Sequence, residues 1–135
     1  DGASMAAAFA LGAEGIQMGT RMVSALESPV HQNWKDAIVD AEETGTVFLN
    51  KFHSPALRAL RTERTARLEA TSESNIMPEF GNAQALYFGG DMEAAIPLSG
   101  QVAGRIETIK PVADILNETR DDFFKILDTL HQQYL

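Results

Sequence analysis

Gln17-Met18-Gly19-Thr20 is the stretch of this chain whose residue types are best suited to holding a ligand. A glycine followed by a threonine at the end of a short apolar run presents free backbone N–H groups and a hydroxyl, and Gly19 has no Cβ to keep an anion away. That is phosphate-binding chemistry. The same four residues also describe a buried strand followed by a turn, and taken alone they do not separate the two readings. A second candidate is Ser99-Gly100-Gln101, which follows Pro97-Leu98. Two small residues allow a sharp turn, and Val102, Ala103 and Ile106 anchor a short helix after it. The Gln101 amide is then held in one place, where it both donates and accepts. Its alternative use is to cap that helix or to bond a neighbouring loop.

The remaining polar residues have plainer uses. His31, His53 and His131 fall in separate elements without metal-ligand spacing, so solvated or structural roles are expected and no metal site is. Asp121-Asp122 and Glu42-Glu43 read as solvated faces. Arg58, Arg61, Arg64 and Arg67 recur at helical spacing as a basic stripe, suited to pairing with Glu63 or to subunit packing, with a cofactor or acyl-carrier contact as the functional alternative. With no Cys there is no disulfide framework, thiolate nucleophile or Cys-based zinc site.

The elements that must position these groups are mostly helical. Residues 4–11 read as a helix rich in Ala, Met and Leu, ended by Gly12. Residues 15–18 are too few for a helix and read as a strand. Ser28-Pro29 places a hydroxyl cap before a proline, predicting a helix over 31–43 with Trp34, Ala37, Ile38 and Ala41 on one face. Thr46-Val47-Phe48-Leu49 predicts a short strand. Ser54-Pro55 repeats the cap signal ahead of a basic amphipathic helix over 56–69. A polar loop over 71–80, a short helix over 82–88 broken by Gly89-Gly90-Asp91, and the turn at 97–104 follow. Lys110-Pro111 opens a last helix to about residue 133, with Val112, Ile115, Leu116, Phe123, Ile126, Leu127 and Leu130 inward. Two strands of four residues make no stable sheet by themselves.

At 135 residues and 44% hydrophobic, the chain has enough apolar surface for one core. A net charge of −8 weighs against nucleic acid or an anionic membrane as partner, but not against one phosphate held by backbone amides. No run of about 18 apolar residues occurs, and the Ala-rich start lacks a basic leader, so neither a membrane span nor a signal peptide is expected.

The opening twenty residues resemble, residue for residue, the end of the FMN-binding barrel in the nitronate monooxygenase (2-nitropropane dioxygenase) family. There the pattern is roughly G-G-I-A-D-G, an Ala-rich helix, then G-A-x-G-[VI]-Q-[MV]-G-T-R-[FM]. Asp1-Gly2 match the last two residues of the first part, whose preceding glycines are missing here. Residues 12–22 match the whole of the second. The family's S/A-G-Q-x-x-G recurs over residues 99–104, and its H-P-x-[YW]-K is similar to residues 30–35, where Asn33-Trp34-Lys35 carry the match and the proline is displaced to Pro29.

That resemblance implies an α/β fold, the C-terminal portion of a (β/α)8 TIM barrel, in which the loops after the last two strands bind phosphate. Residues 1–27 would end the FMN-binding barrel, 28–95 form a mostly helical cap on the substrate side, and 96–135 return to the barrel as a closing helix. FMN is the implied cofactor. Gly19 and Thr20 would take its phosphate, Gln17 and Met18 would line the flavin, and Asp1, Gly2 and Gln101 would complete the cofactor contacts. The family's catalytic His lies on earlier barrel strands, so no catalytic residue is expected in this chain. Beginning without Met inside a motif, the chain is expected to be part of a longer cytoplasmic enzyme, inactive without the N-terminal barrel segment. The implied reaction is oxidation of an alkyl nitronate by O₂ to a carbonyl compound and nitrite. The alternative is the family's enoyl-acyl-carrier-protein reductase branch, with NAD(P)H and an enoyl thioester. A homodimer is left open. A non-enzymatic helical interaction module would suit the acidic surface but leaves the Gly19-Thr20 motif unexplained.

Overall fold

The computed structural model describes residues 1–71 and 73–134. In chain order the elements are α1 (Gly2–Ala10), α2 (Thr20–Val23), α3 (Gln32–Val39), β1 (Thr46–Leu49), β2 (Leu57–Leu60), α4 (Glu63–Ala70), α5 (Ala83–Tyr87) and α6 (Val112–Tyr134), with 3₁₀ turns at Met77–Glu79 and Gln101–Arg105. They form two compact units, one of residues 1–18 with 110–135 and one of residues 19–109.

The first unit is a helix pair. Asp1 Oδ1 accepts the Ser4 N–H at 2.8 Å and starts α1 two residues earlier than the alanine run suggests. A Cβ at position 2 would lie 2.5 Å from Asp122 Cβ and from the Phe123 nitrogen, so the missing side chain of Gly2 lets α6 pass directly against α1. The Phe9 and Phe123 rings meet at 5.1 Å. Ile115, Thr119 and Phe123, four apart, form the buried line of α6. The expected inward set was too wide: Leu116, Leu127 and Leu130 are 50%, 42% and 47% exposed. A nine-residue helix bearing mostly alanines covers one line of its neighbour and no more. The expected strand over 15–18 is also absent. Both other elements of this unit are helices, whose N–H and C=O groups bond within themselves, so no edge is offered for pairing.

The second unit is built around a small antiparallel sheet. Strand β1 forms as expected and pairs with β2 from Thr46↔Leu60 to Leu49↔Leu57. The expected helix over 56–69 is corrected by β2, since only its second half is helical. Thr62 closes the strand and caps α4, its hydroxyl accepting from the Thr65 N–H while Thr65 Oγ1 accepts from the Thr62 N–H. Glu93 reinforces that start by accepting from the N–H groups of Glu63 and Arg64 at 3.0 and 2.7 Å. Arginines at helical spacing outweighed the strand signal in the sequence. Helix α3 is shorter than expected at both ends: the His31 ring, not Ser28, caps it, and Asp40 ends it. Helix α5 forms within the expected span of 82–88, with Asn82 as its cap.

Residues 97–99 extend the sheet. Leu60 N–H donates to Pro97 O at 3.0 Å and Ser99 N–H to Arg58 O at 3.1 Å, so this segment lies antiparallel on the outer side of β2. The far edge is blocked where Glu69 of α4 accepts the Phe48 N–H at 3.3 Å. Two apolar clusters hold the unit together. Val47, Leu49, Ala59, Ile76 and Ile96 pack in one. Trp34, Ile38, Leu60, Leu86, Ala103 and Ile106 belong to the other, bringing α3 and α5 together with the Gln101–Arg105 turn. Among the described residues no helix is long and apolar enough to cross a membrane.

Candidate functional site

Thr20 and Gly100, from the two motifs singled out in the sequence, are hydrogen-bonded eighty residues apart. The Gly100 N–H donates to Thr20 Oγ1 at 2.8 Å. Each side of this contact is held by its own supports. On one side the ladder to β2 fixes residues 97–99, and the buried Ser99 hydroxyl donates to Leu98 O at 2.8 Å. The chain therefore leaves the sheet at Gly100 with its amide directed at Thr20. On the other side, Thr20 is the first residue of α2, which packs on the Gln101–Arg105 turn. Arg21 donates to Thr108 O at 2.8 Å, and the Ser24 hydroxyl donates back to Arg21 O at 3.0 Å. After α2, the buried Lys35 ammonium donates to Leu26 O at 3.0 Å and holds the turn toward α3.

Two features suit this contact to an anion. A Cβ built at Gly19, which precedes α2 at φ −96° and ψ −78°, meets nothing within 4 Å. That glycine is not demanded by the chain's own packing; its face is open. Thr20 is 9% exposed, and its oxygen receives the Gly100 amide while its proton has no acceptor among the described residues. Gln101 is exposed at the start of its 3₁₀ turn; the cap is Gly100, and the Gln101 amide has no hydrogen-bond partner among the described residues. Capping, its alternative use, is not what this side chain does.

The other residues singled out have local surroundings of their own. Asp1 caps α1 and Gly2 packs against α6. Gln17 is exposed and Met18 half-buried, in a segment without strand pairing. His31 Nδ1 accepts from the Asn33 N–H at 3.1 Å, His53 meets Glu73 O, and His131 lies exposed on α6. The basic stripe is divided among β2, the link after it and α4. Arg58, on β2, donates to Thr46 Oγ1 at 3.0 Å and lies over the Phe48 ring, while Arg61 pairs with Glu69 at 3.3 Å and Arg64 donates to Glu79 O. It is not one face. Lys35 and Glu93 carry structural tasks to which the sequence reading assigned no role. Both act on backbone groups of distant turns, and side-chain spacing carries no signal of that.

A mixed helix–strand architecture with a glycine-threonine turn braced by a second loop is thus what the chain builds. The family model described as nitronate monooxygenase matches residues 1–122, and the chain belongs to that family. It is 40% identical over 63 residues to a probable nitronate monooxygenase of Staphylococcus saprophyticus, an alignment covering 47% of this chain and 18% of that protein. A probable nitronate monooxygenase of Staphylococcus aureus is 37% identical over 60 residues, covering 44% and 17%. Among solved structures, FabK from Thermotoga maritima is 38% identical with a TM-score of 0.88, covering 98% of this chain and 44% of that one. A point mutant of the same FabK gives 36%, 0.83, 98% and 41%. The chain thus spans less than half the length of the relatives it matches.

Proposed function

We propose that the chain is the C-terminal part of an FMN-dependent oxidoreductase. Residues 1–27 would contribute the end of a (β/α)8 barrel with its phosphate turn, 28–95 the substrate-side cap, and 96–135 the return to the barrel. The observation that carries this reading is the Thr20–Gly100 contact beside the open face of Gly19. These residues fit a phosphate monoester: a proton donor without an acceptor stands next to a backbone with no side chain in the way. Gly19 and Thr20 would hold the phosphate, with Gln101 as a further cofactor contact. A bound flavin supplies electron exchange at N5 of its ring system; the chain's own task is to hold and orient it.

For the substrate, the family description and the names of the staphylococcal relatives support oxidation of an alkyl nitronate by O₂ to a carbonyl compound and nitrite. The likeness to FabK over 98% of the chain supports a second reading, reduction of an enoyl thioester by NAD(P)H. The full-length protein is expected to purify yellow. Nitrite release from a primary alkyl nitronate, measured beside NAD(P)H oxidation with a crotonyl thioester, separates the two reactions. A colourless protein that binds no added FMN would end the flavoenzyme reading.

Gln101→Leu tests the second motif. The side chain bonds nothing among the described residues, so the substitution is expected to leave the melting temperature unchanged and to lower kcat/KM or alter the flavin absorption spectrum. Lost thermal stability with normal kinetics would return Gln101 to a structural role.

A further inference from the structure

The hydroxyls buried in the unit of residues 19–109 are bonded in two different ways. Ser24, Thr65 and Ser99 each donate their proton to a main-chain carbonyl, of Arg21, Leu60 and Leu98 respectively. Thr20 does the reverse. It receives a backbone N–H, and its proton meets no acceptor among the described residues. Thr46 also receives, but its donor is the flexible guanidinium of Arg58. Thr65 Oγ1 also receives a main-chain amide, that of Thr62, but passes its own proton on to Leu60 O. At Thr20 the incoming amide is fixed by the ladder of residues 97–99 on β2, and the proton has no acceptor among the described residues. A hydroxyl has one proton and two lone pairs. With one lone pair taken from a fixed direction, the proton can no longer turn that way and is confined to the remaining directions, away from Gly100.

We infer that Gly100 is a positioning residue for cofactor choice: its backbone amide orients the Thr20 hydroxyl as a proton donor to the cofactor's terminal phosphate, so that the protein prefers FMN over unphosphorylated riboflavin. This rests on the phosphate reading above and adds what sets the donor. The part played by residue 100 is its N–H, not its lack of a side chain. A Cβ there would lie 3.5 Å from Thr20 Oγ1 and 3.9 Å from Val102 Cγ1, ordinary contact distances, and its φ of −77° suits any L-residue.

The experiment measures dissociation constants for FMN and riboflavin, by quenching of flavin fluorescence, with apoprotein of the full-length form. Gly100→Ala, which keeps the N–H, is expected to match the parent for both ligands. Replacing the residue-100 amide by an ester, through incorporation of glycolic acid, removes only the N–H. It is expected to weaken FMN by about tenfold, the loss of one hydrogen bond's worth of orientation, while leaving riboflavin within about twofold. Thr20→Ser should retain the preference and Thr20→Val should lose it. An ester protein with unchanged FMN affinity, or with both ligands weakened equally, overturns the positioning role. A parent protein that binds neither ligand fails instead at the phosphate reading, so the two failures are distinguishable.

Discussion

Trp34→Ala is expected to cost about 3–5 kcal/mol of folding stability, the usual range for emptying a large aromatic site in a packed core. Trp34 is 1% exposed, meets the Tyr87 ring edge-on at 4.7 Å, and packs among residues of α3, α5 and the Gln101–Arg105 turn. The indole Nε1 has no acceptor among the described residues. Removing an unpaired buried donor is favourable in itself, so Trp34→Phe is expected to cost markedly less than the alanine variant. Urea denaturation followed by circular dichroism measures both. A Trp34→Ala protein within about 1 kcal/mol of the parent would mean that this core does not hold the unit together. The consequence reaches the site, because the Gln101–Arg105 turn against this core follows directly from Gly100.

Local signals made part of this structure legible. The short run over 82–88 ahead of Gly89-Gly90-Asp91 announced α5, and the β-branched, aromatic run from Thr46 announced β1. Where two signals competed, the stronger pattern misled. Arg58, Arg61, Arg64 and Arg67 share helical spacing, yet Leu57 and Ala59 pack in the cluster of β1 while Leu60, on the opposite face, packs with α3 and α5, and burial of those side chains decided the backbone. The segment over 15–18 failed for another reason. Strand character needs a partner, and propensity does not supply one. The candidate site divides in the same way. Gly19-Thr20 and Ser99-Gly100-Gln101 could each be recognised as small-residue turns, and the resemblance tied both to one family. Their hydrogen bond was not legible, because it depends on residues 97–99 joining β2 and on α2 packing against the turn that follows. Sequence spacing says nothing about a contact across eighty residues.

Gly19→Val is expected to strip most of the flavin from the purified protein while leaving the fold intact, and the structure makes that combination informative. A Cβ at position 19 meets nothing within 4 Å, and the backbone there, at φ −96° and ψ −78°, lies at the edge of the right-handed helical region and not in the positive-φ region that glycine alone favours. The only internal cost is a poorer cap for a four-residue helix, on the order of 1 kcal/mol or less. Not every glycine of the chain gives so clean a test. At Gly81, φ is +93° and a Cβ would collide with Ala94 O, so any substitution there would damage the fold before it reported on a ligand. At Gly19 the branched side chain instead fills the space in front of the Thr20 turn, where the proposed phosphate must approach. Losing two charge-assisted hydrogen bonds at about 1.5 kcal/mol each weakens a ligand on the order of a hundredfold. The variant should therefore purify nearly colourless with a melting temperature close to that of flavin-free parent protein. Apoprotein is the proper reference, since bound ligand alone raises the apparent stability of the parent. A Gly19→Val protein carrying a full complement of FMN would remove the phosphate from this turn, and with it the observation on which the flavoenzyme reading stands.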